Sequence, residues 1–349
     1  MGVIEATRGV LWARRHAPDQ PVYGVSLAHE RFQPAPLLEQ AVAAEAAGFD
    51  AIACSDHLAP WWPEGDPAPN SSGNAWVWLG AVGNATREAS IGTAVTGAIH
   101  RYNPVVLAQQ VATLEAMNPG RAFLGVGSSE AMNEIPAGLE WPSLAEQQER
   151  MSEQLQIVNA LLAGETVDFN GRYFKTRSAR LYTLPERRVP VYVSAFGEDA
   201  ARLAARHGDG VWTLADPLQA PKVIGAYRAE REALGKEPGE IILQALFSWA
   251  EDDDTAFESA REWKATLPTE LYTDPIFEPA DVKAKGDEVS DITFKAGTII
   301  GSDPSSHVRK IRAIGQLGAT AIVLMNVSAA DPLAALRVYG EKVLPELRG

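Results

Sequence analysis

The residues best suited to chemistry in this chain share one short window, Ser55-Asp56-His57, followed at the end of an x-x-x spacer by Trp61. Imidazole is the side chain whose ordinary pKa best matches proton transfer near neutrality. A carboxylate beside it can orient it, and an indole supplies an apolar wall with a single N–H. Two further acids, Glu30 and Glu130, each stand just beyond an apolar run, Val22 to Leu27 and Ala122 to Gly127. Such a set suits a reaction in which a proton moves. No P-loop, no nucleophile elbow and no His-Glu-x-x-His metal pattern accompanies it, so no metal site is expected.

These groups matter only if the fold brings them together. The window opens with Asp50-Ala51-Ile52-Ala53-Cys54, short and apolar enough for a fully buried strand. The same rhythm recurs along the chain. Strands are expected at 22–27, from Asp50 through the first half of this opening stretch, and at 91–96, 122–127, 189–195, 209–213, 241–250 and 319–325. They alternate with helices at 36–48, 74–86, 104–117, 143–162, 197–206, 219–235, 254–265 and 331–346. Helix-end glycines recur as punctuation at Gly48, Gly208 and Gly318. Eight such alternations predict an α/β fold, a closed (β/α)8 barrel. Its active site belongs at the C-terminal ends of the strands. All the residues above fall there, together with Thr96, His100, Arg101, Tyr102, Ser128, Ser129, Asn133, Ala195, Phe196, Gly197 and Trp249.

Two segments interrupt the alternation. Residues 165–188, after the fourth helix, read as a β-hairpin turning at Asn170-Gly171. Residues 266–295, before the last strand, are polar and irregular and are expected to form a lid over the barrel mouth. Residues 1–21 read as an N-terminal arm and 22–349 as a single domain. A strand-like piece, 297–300, precedes the final strand.

Several features have plain structural readings. Gly125-Val126-Gly127 starts like a dinucleotide fingerprint, but Glu130 occupies the third glycine position. Ala195-Phe196-Gly197 opens a helix whose N–H groups suit a phosphate, although Glu198 and Asp199 would compete. Trp76 and Trp78 cannot share one helix face, so one is expected in the core and the other at a lid or interface. Asp252-Asp253-Asp254 reads as a helix cap.

The 349 residues carry a formal charge of -14, which disfavours nucleic acid and anionic membranes as partners. Cys54 is the single cysteine, as expected of a cytoplasmic protein. Arg14-Arg15 is followed by no apolar stretch, so an export signal is not expected.

As a constellation, Ser-Asp-His-x-x-x-Trp, Arg101-Tyr102-Asn103-Pro104, Gly125 to Glu134 and the hairpin Val167 to Phe174 resemble the luciferase-like barrel superfamily. Within it they resemble the coenzyme F420-dependent dehydrogenases. The resemblance covers about residues 22 to 347. It implies that a deazaflavin lies across the barrel mouth, near Asp56, Ser128, Ser129, Glu130 and Asn133. Ala195, Phe196 and Gly197 would take its phosphate, and Ala94–Val95 would be a non-prolyl cis peptide behind the ring. The resemblance gives His57 the role of general base as a hydride leaves the carbinol carbon. It places Trp61 and Glu30 by the substrate and gives Glu130 the role of acid near the ring. Family likeness also implies a homodimer.

Substrate class divides the family. The sugar-phosphate enzymes place a lysine after strand six, where this chain has Thr213-Leu214-Ala215-Asp216-Pro217. A phosphate dianion needs charge-assisted donors. Trp76 to Gly80 and Gly138 to Ser143 resemble the secondary alcohol dehydrogenases, with Trp78 and Trp249 expected in the substrate pocket. A small secondary alcohol or ketone is therefore expected. The alternatives are a sugar 6-phosphate, bound through lysines of the lid, and FMN-dependent monooxygenation on the same barrel.

Overall fold

The computed structural model describes residues 21–63 and 70–349. The expected N-terminal arm lies, but for Pro21, outside the described residues.

Eight parallel strands close into a ring: β1 (Val22–Leu27), β2 (Ala51–Cys54), β3 (Ser90–Thr93), β4 (Ala122–Gly127), β5 (Val191–Ser194), β6 (Gly210–Leu214), β7 (Glu240–Trp249) and β8 (Ala321–Asn326). β8 closes the ring on β1, with Val22 opposite Ala321 and Ser26 opposite Met325. Alternation along each strand sorts the side chains. Val22, Ala51, Ala53, Phe123, Tyr192, Trp212, Ile242, Ala321 and Val323 fill the barrel interior. The opposite parity, including Val25, Ile52, Leu124 and Phe247, packs against the helices.

The helices follow the predicted spacing closely; Pro104–Met117 and Leu144–Leu162 begin behind Asn103 and Ser143, whose side chains accept backbone N–H groups. Gly48 and Gly318 have left-handed φ of 94° and 96°. Gly208 does not: its φ is -100°, and it is small because the chain there presses against Ala204 and Val193.

Three expectations need correction. The third strand stops at Thr93, because Ala94–Val95 is a cis peptide and the chain rejoins the sheet only at Thr96–Gly97, beside β4. The hairpin, Val167–Asn170 with Lys175–Ala179, turns later than Asn170-Gly171, through Gly171 to Phe174. Glu153 sets that turn by accepting from the backbone N–H groups of Arg172, Tyr173 and Phe174 at 2.7, 3.0 and 3.0 Å. The segment before the last strand is not irregular. It folds into short helices, Thr269–Tyr272, Pro279–Asp287 and Asp291–Gly297, with Pro279 in a first turn and Ser290 capping Thr293 N–H. Ile299–Gly301 then adds a strand beside the end of β7.

Among the described residues no helix is long and apolar enough to cross a membrane, and no group of His, Cys, Asp and Glu side chains could hold a metal ion.

Candidate active site

Three strand ends converge on one imidazole. Glu30 follows β1 and is 1% exposed. Ser55, Asp56 and His57 follow β2. Glu130 follows β4 and leads into the short helix Ala131–Glu134, which carries Asn133. His57 Nε2 lies 3.6 Å from Glu30 Oε1 and 4.0 Å from Glu130 Oε2. The Trp61 indole N–H donates to Glu30 Oε1 at 3.1 Å, and its ring lies 4.8 Å from the imidazole. The Ser55 hydroxyl donates to the other Glu30 oxygen and accepts the His29 N–H at 3.0 Å. A buried carboxylate is tolerable only when paired and hydrogen-bonded in this way. Asn133 joins the far side, donating to Glu130 Oε2 at 2.8 Å with its Nδ2 3.4 Å from His57 Nδ1.

Asp56 forms a second acidic group beneath the first. Tyr102 donates to its Oδ1 at 3.1 Å, and the Arg101 guanidinium lies 3.4 Å from the same atom. Burial pushes the Asp56 carboxyl above the ordinary carboxylate range, and the Arg101 charge only partly opposes this. Burial and Asp56 together push the Tyr102 phenol up, so it remains a donor.

The floor is made of backbone. The Ala94–Val95 cis peptide bulges toward β4, where a side chain on Gly125 would run into the Thr93 carbonyl and one on Gly127 would lie 2.8 Å from Val95. Ser129 takes a left-handed φ of 69°.

A small cleft of about 50 Å³ opens beside this floor, lined by Ser128, Val193, Ser194 and residues of helices Leu144–Leu162 and Glu198–His207. Gln147 lines it, and its Oε1 is buried with no hydrogen-bond partner among the described residues, an acceptor left for a ligand hydroxyl. At the start of helix Glu198–His207 the two acids that would compete with an anion are turned to Arg202, at 2.9 and 2.8 Å.

The lid roofs the mouth with apolar side chains. Trp61, Trp62, Met132 and Met325 of the barrel meet Phe257 and Trp263 of the helical stretch after β7 and Leu271, Val282 and Phe294 of the lid. Trp62 and Trp263 pack edge to face at 5.2 Å. Tyr272 packs on Phe196 at 5.0 Å; burial and the nearby Glu130 carboxylate push its phenol up. The lid lysines are engaged elsewhere. Lys264 pairs with Asp291 at 3.0 Å, Lys283 with Asp287 at 2.9 Å, Lys285 with Glu288 at 3.5 Å, and Lys295 lies 3.9 Å over the Phe257 ring.

A model of the luciferase-like monooxygenase family matches residues 8–321. The chain belongs to that family. It is 37% identical over 331 residues to an F420-dependent glucose-6-phosphate dehydrogenase of Microbacterium testaceum, covering 93% of this chain and 97% of the relative. It is 34% identical over 329 residues to an F420-dependent hydroxymycolic acid dehydrogenase of Mycobacterium tuberculosis, covering 93% and 88%. Among solved structures it superposes on an F420-dependent secondary alcohol dehydrogenase in complex with an F420-acetone adduct. There the TM-score is 0.90 and the identity 32%, over 95% of this chain and 100% of that one.

Of the residues singled out from the sequence, Glu30, Asp56, His57, Trp61, Glu130 and Asn133 come together. Ala94, Val95, Ser128, Ser129, Ala195, Phe196 and Gly197 stand around the floor and the cleft. Trp78 and Trp249 are not brought to the mouth. Trp78 lies behind it, edge-on to His29 at 5.0 Å and donating to the Pro34 carbonyl. Trp249 shares the outward parity of Phe247 and donates to the Ser302 carbonyl at 2.9 Å. Trp76 and Trp78 are both buried, at 8% and 4%, and Val77 between them is the outward residue at 77%. The Ser55 bond to Glu30 and the aromatics Phe257, Trp263 and Phe294 were missed. The apolar spacing of Phe257, Trp263 and Leu271 was the available signal for the lid.

Proposed function

We propose that this protein moves a hydride between the deazaflavin coenzyme F420 and a small, uncharged secondary alcohol or its ketone. The observation that carries this reading is the Glu30–His57–Trp61 cluster beneath an apolar roof whose Lys264, Lys283 and Lys285 are paired with acids. When bound, the deazaflavin supplies the two-electron chemistry. The unpartnered Gln147 oxygen, the hydroxyls of Ser128 and Ser194 and the uncapped helix start at Gly197 fit a coenzyme with a hydroxylated chain and a phosphate. Asp56, Ala94, Val95, Ser129 and Asn133 would face the ring, with Glu130 the acid nearest to it.

The His57–Glu30 pair handles the hydroxyl proton, and Trp61 walls the reacting carbon while fixing Glu30. The lid excludes water, which strengthens every charge interaction inside. Exposed Val42, Val77 and Val106 on neighbouring helices support a homodimer, and the single buried cysteine supports a reducing cytoplasm.

The test is a panel of secondary alcohols, ketones and sugar 6-phosphates with purified protein and F420, followed by coenzyme absorbance. Turnover of uncharged alcohols with much higher kcat/KM than any sugar phosphate is expected. A strong preference for glucose 6-phosphate would overturn the substrate assignment, and oxygen-dependent turnover with FMN in place of F420 would overturn the chemistry.

A further inference from the structure

The hydrogen-bonding character of the amide beside His57 is fixed. Asn133 is buried, and its Oδ1 accepts the Leu58 backbone N–H at 2.8 Å. That bond settles which end of the amide is which. The amide nitrogen therefore faces Glu130 Oε2 at 2.8 Å and His57 Nδ1 at 3.4 Å. An amide nitrogen offers two hydrogens and accepts none. One goes to Glu130, and the second is the hydrogen available to Nδ1, which can take it only as the unprotonated ring nitrogen. Nε2 faces the Glu30 carboxylate at 3.6 Å, and the Glu130 Oε2 that accepts from Asn133 lies 4.0 Å from it; both carboxylates are acceptors when ionised.

We infer that Asn133 is a positioning residue that holds neutral His57 as its Nε2–H tautomer, with that hydrogen directed to the carboxylates. The consequence for catalysis rests on the function proposed above. An Nε2 that already carries a proton donates a hydrogen bond and is not free to accept one. In alcohol oxidation the O–H bond of the substrate breaks and its proton passes to the Glu30 carboxylate. The carbinol C–H pair leaves as hydride to the coenzyme, and C=O forms. In ketone reduction the proton returns from Glu30 to the carbonyl oxygen as hydride adds to the carbon, with Nε2–H still directed to the carboxylates. The sequence assigns the base role to His57; this geometry moves it to its neighbour.

The tautomer is measured on the protein alone, so the result stands apart from any failure to find a substrate. The chain has six histidines, few enough for a resolved ¹⁵N spectrum. His57 is assigned by comparison with His57→Gln. In alkaline buffer the wild-type protein should show Nε2 protonated and Nδ1 bare. Asn133→Asp turns the donor into an acceptor and should invert the tautomer. Asn133→Leu removes the bias and should let an Nδ1–H population appear. A wild-type Nδ1–H or imidazolium signal would overturn the inference, as would an Nε2–H signal unmoved in either variant. If Asn133→Asp does not fold, the leucine variant and the wild-type spectrum still decide.

Discussion

Glu30→Gln is the most telling single substitution, and its size follows from one distance. Glutamine keeps the shape of the side chain and can still accept from the Trp61 N–H, with the Ser55 hydroxyl turning to face its amide N–H, but it removes the charge. With Glu30 made neutral the substrate proton has only the His57 ring left to take it, and the resulting imidazolium lacks the carboxylate that would have faced it. With unit charges 3.6 Å apart and an effective dielectric near 20, Coulomb's law gives roughly 4–5 kcal/mol. At about 1.4 kcal/mol for each factor of ten, kcat/KM for the alcohol should fall roughly a thousandfold. Glu130 is 4.0 Å from the same nitrogen, but its side chain is 19% exposed against 2% for Glu30. Solvent screens it, so Glu130→Gln should cost less, on the order of tenfold. The assay is steady-state coenzyme absorbance with one alcohol, run beside urea unfolding. The stability of Glu30→Gln should match or exceed the wild type, because a buried charge has been removed. A Glu30→Gln enzyme within tenfold of wild type, or a larger loss at Glu130 than at Glu30, would refute the reasoning.

Other expectations concern the supports of the site. Arg101→Leu leaves the buried Asp56 carboxylate without its cation and should cost about 3 kcal/mol in urea unfolding. Adding Asp56→Asn should recover at least half of it. His29 is fully buried, and burial holds its imidazole down to about 4. Between pH ~6.5 and ~4 the unfolded chain binds this proton and the folded chain does not, so stability falls as pH drops through that window and levels off below it. Two and a half units amount to about 3 kcal/mol, and His307, also held to about 4, adds to the same slope. His29→Gln should flatten the dependence of the urea midpoint between about pH 7.5 and 4.5. Lys283→Ala and Lys285→Ala disrupt exposed pairs of the lid and should leave alcohol KM within about twofold; a selective loss of sugar phosphate turnover in either would show that the lid does hold a phosphate.

The barrel was legible because its strands are short, apolar and followed by capped helices, a local signal repeated at each turn of the fold. The rim residues came with it, since strand direction alone decides which end carries His57 and Glu130. Periodicity did not reveal contacts that depend on one side chain reaching across the mouth: Ser55 to Glu30, or Asn133 to both Glu130 and His57. Trp249 was misplaced because the strand end was located but not its parity; one residue decides whether an indole faces the mouth or the helices. The lid was read as irregular because its helices are short and polar on the outside. Their order comes from Phe257, Trp263, Leu271 and Phe294 packing on the barrel, a tertiary effect that outweighs weak local propensity.

Direct hydride transfer from a carbinol carbon is the claim on which the account stands. It is tested by supplying a secondary alcohol deuterated at that carbon, with F420 and purified protein in ordinary water. The account predicts a slowed rate and the deuterium recovered on the reduced coenzyme. Deuterium appearing in solvent water, or turnover that consumes oxygen, would contradict it.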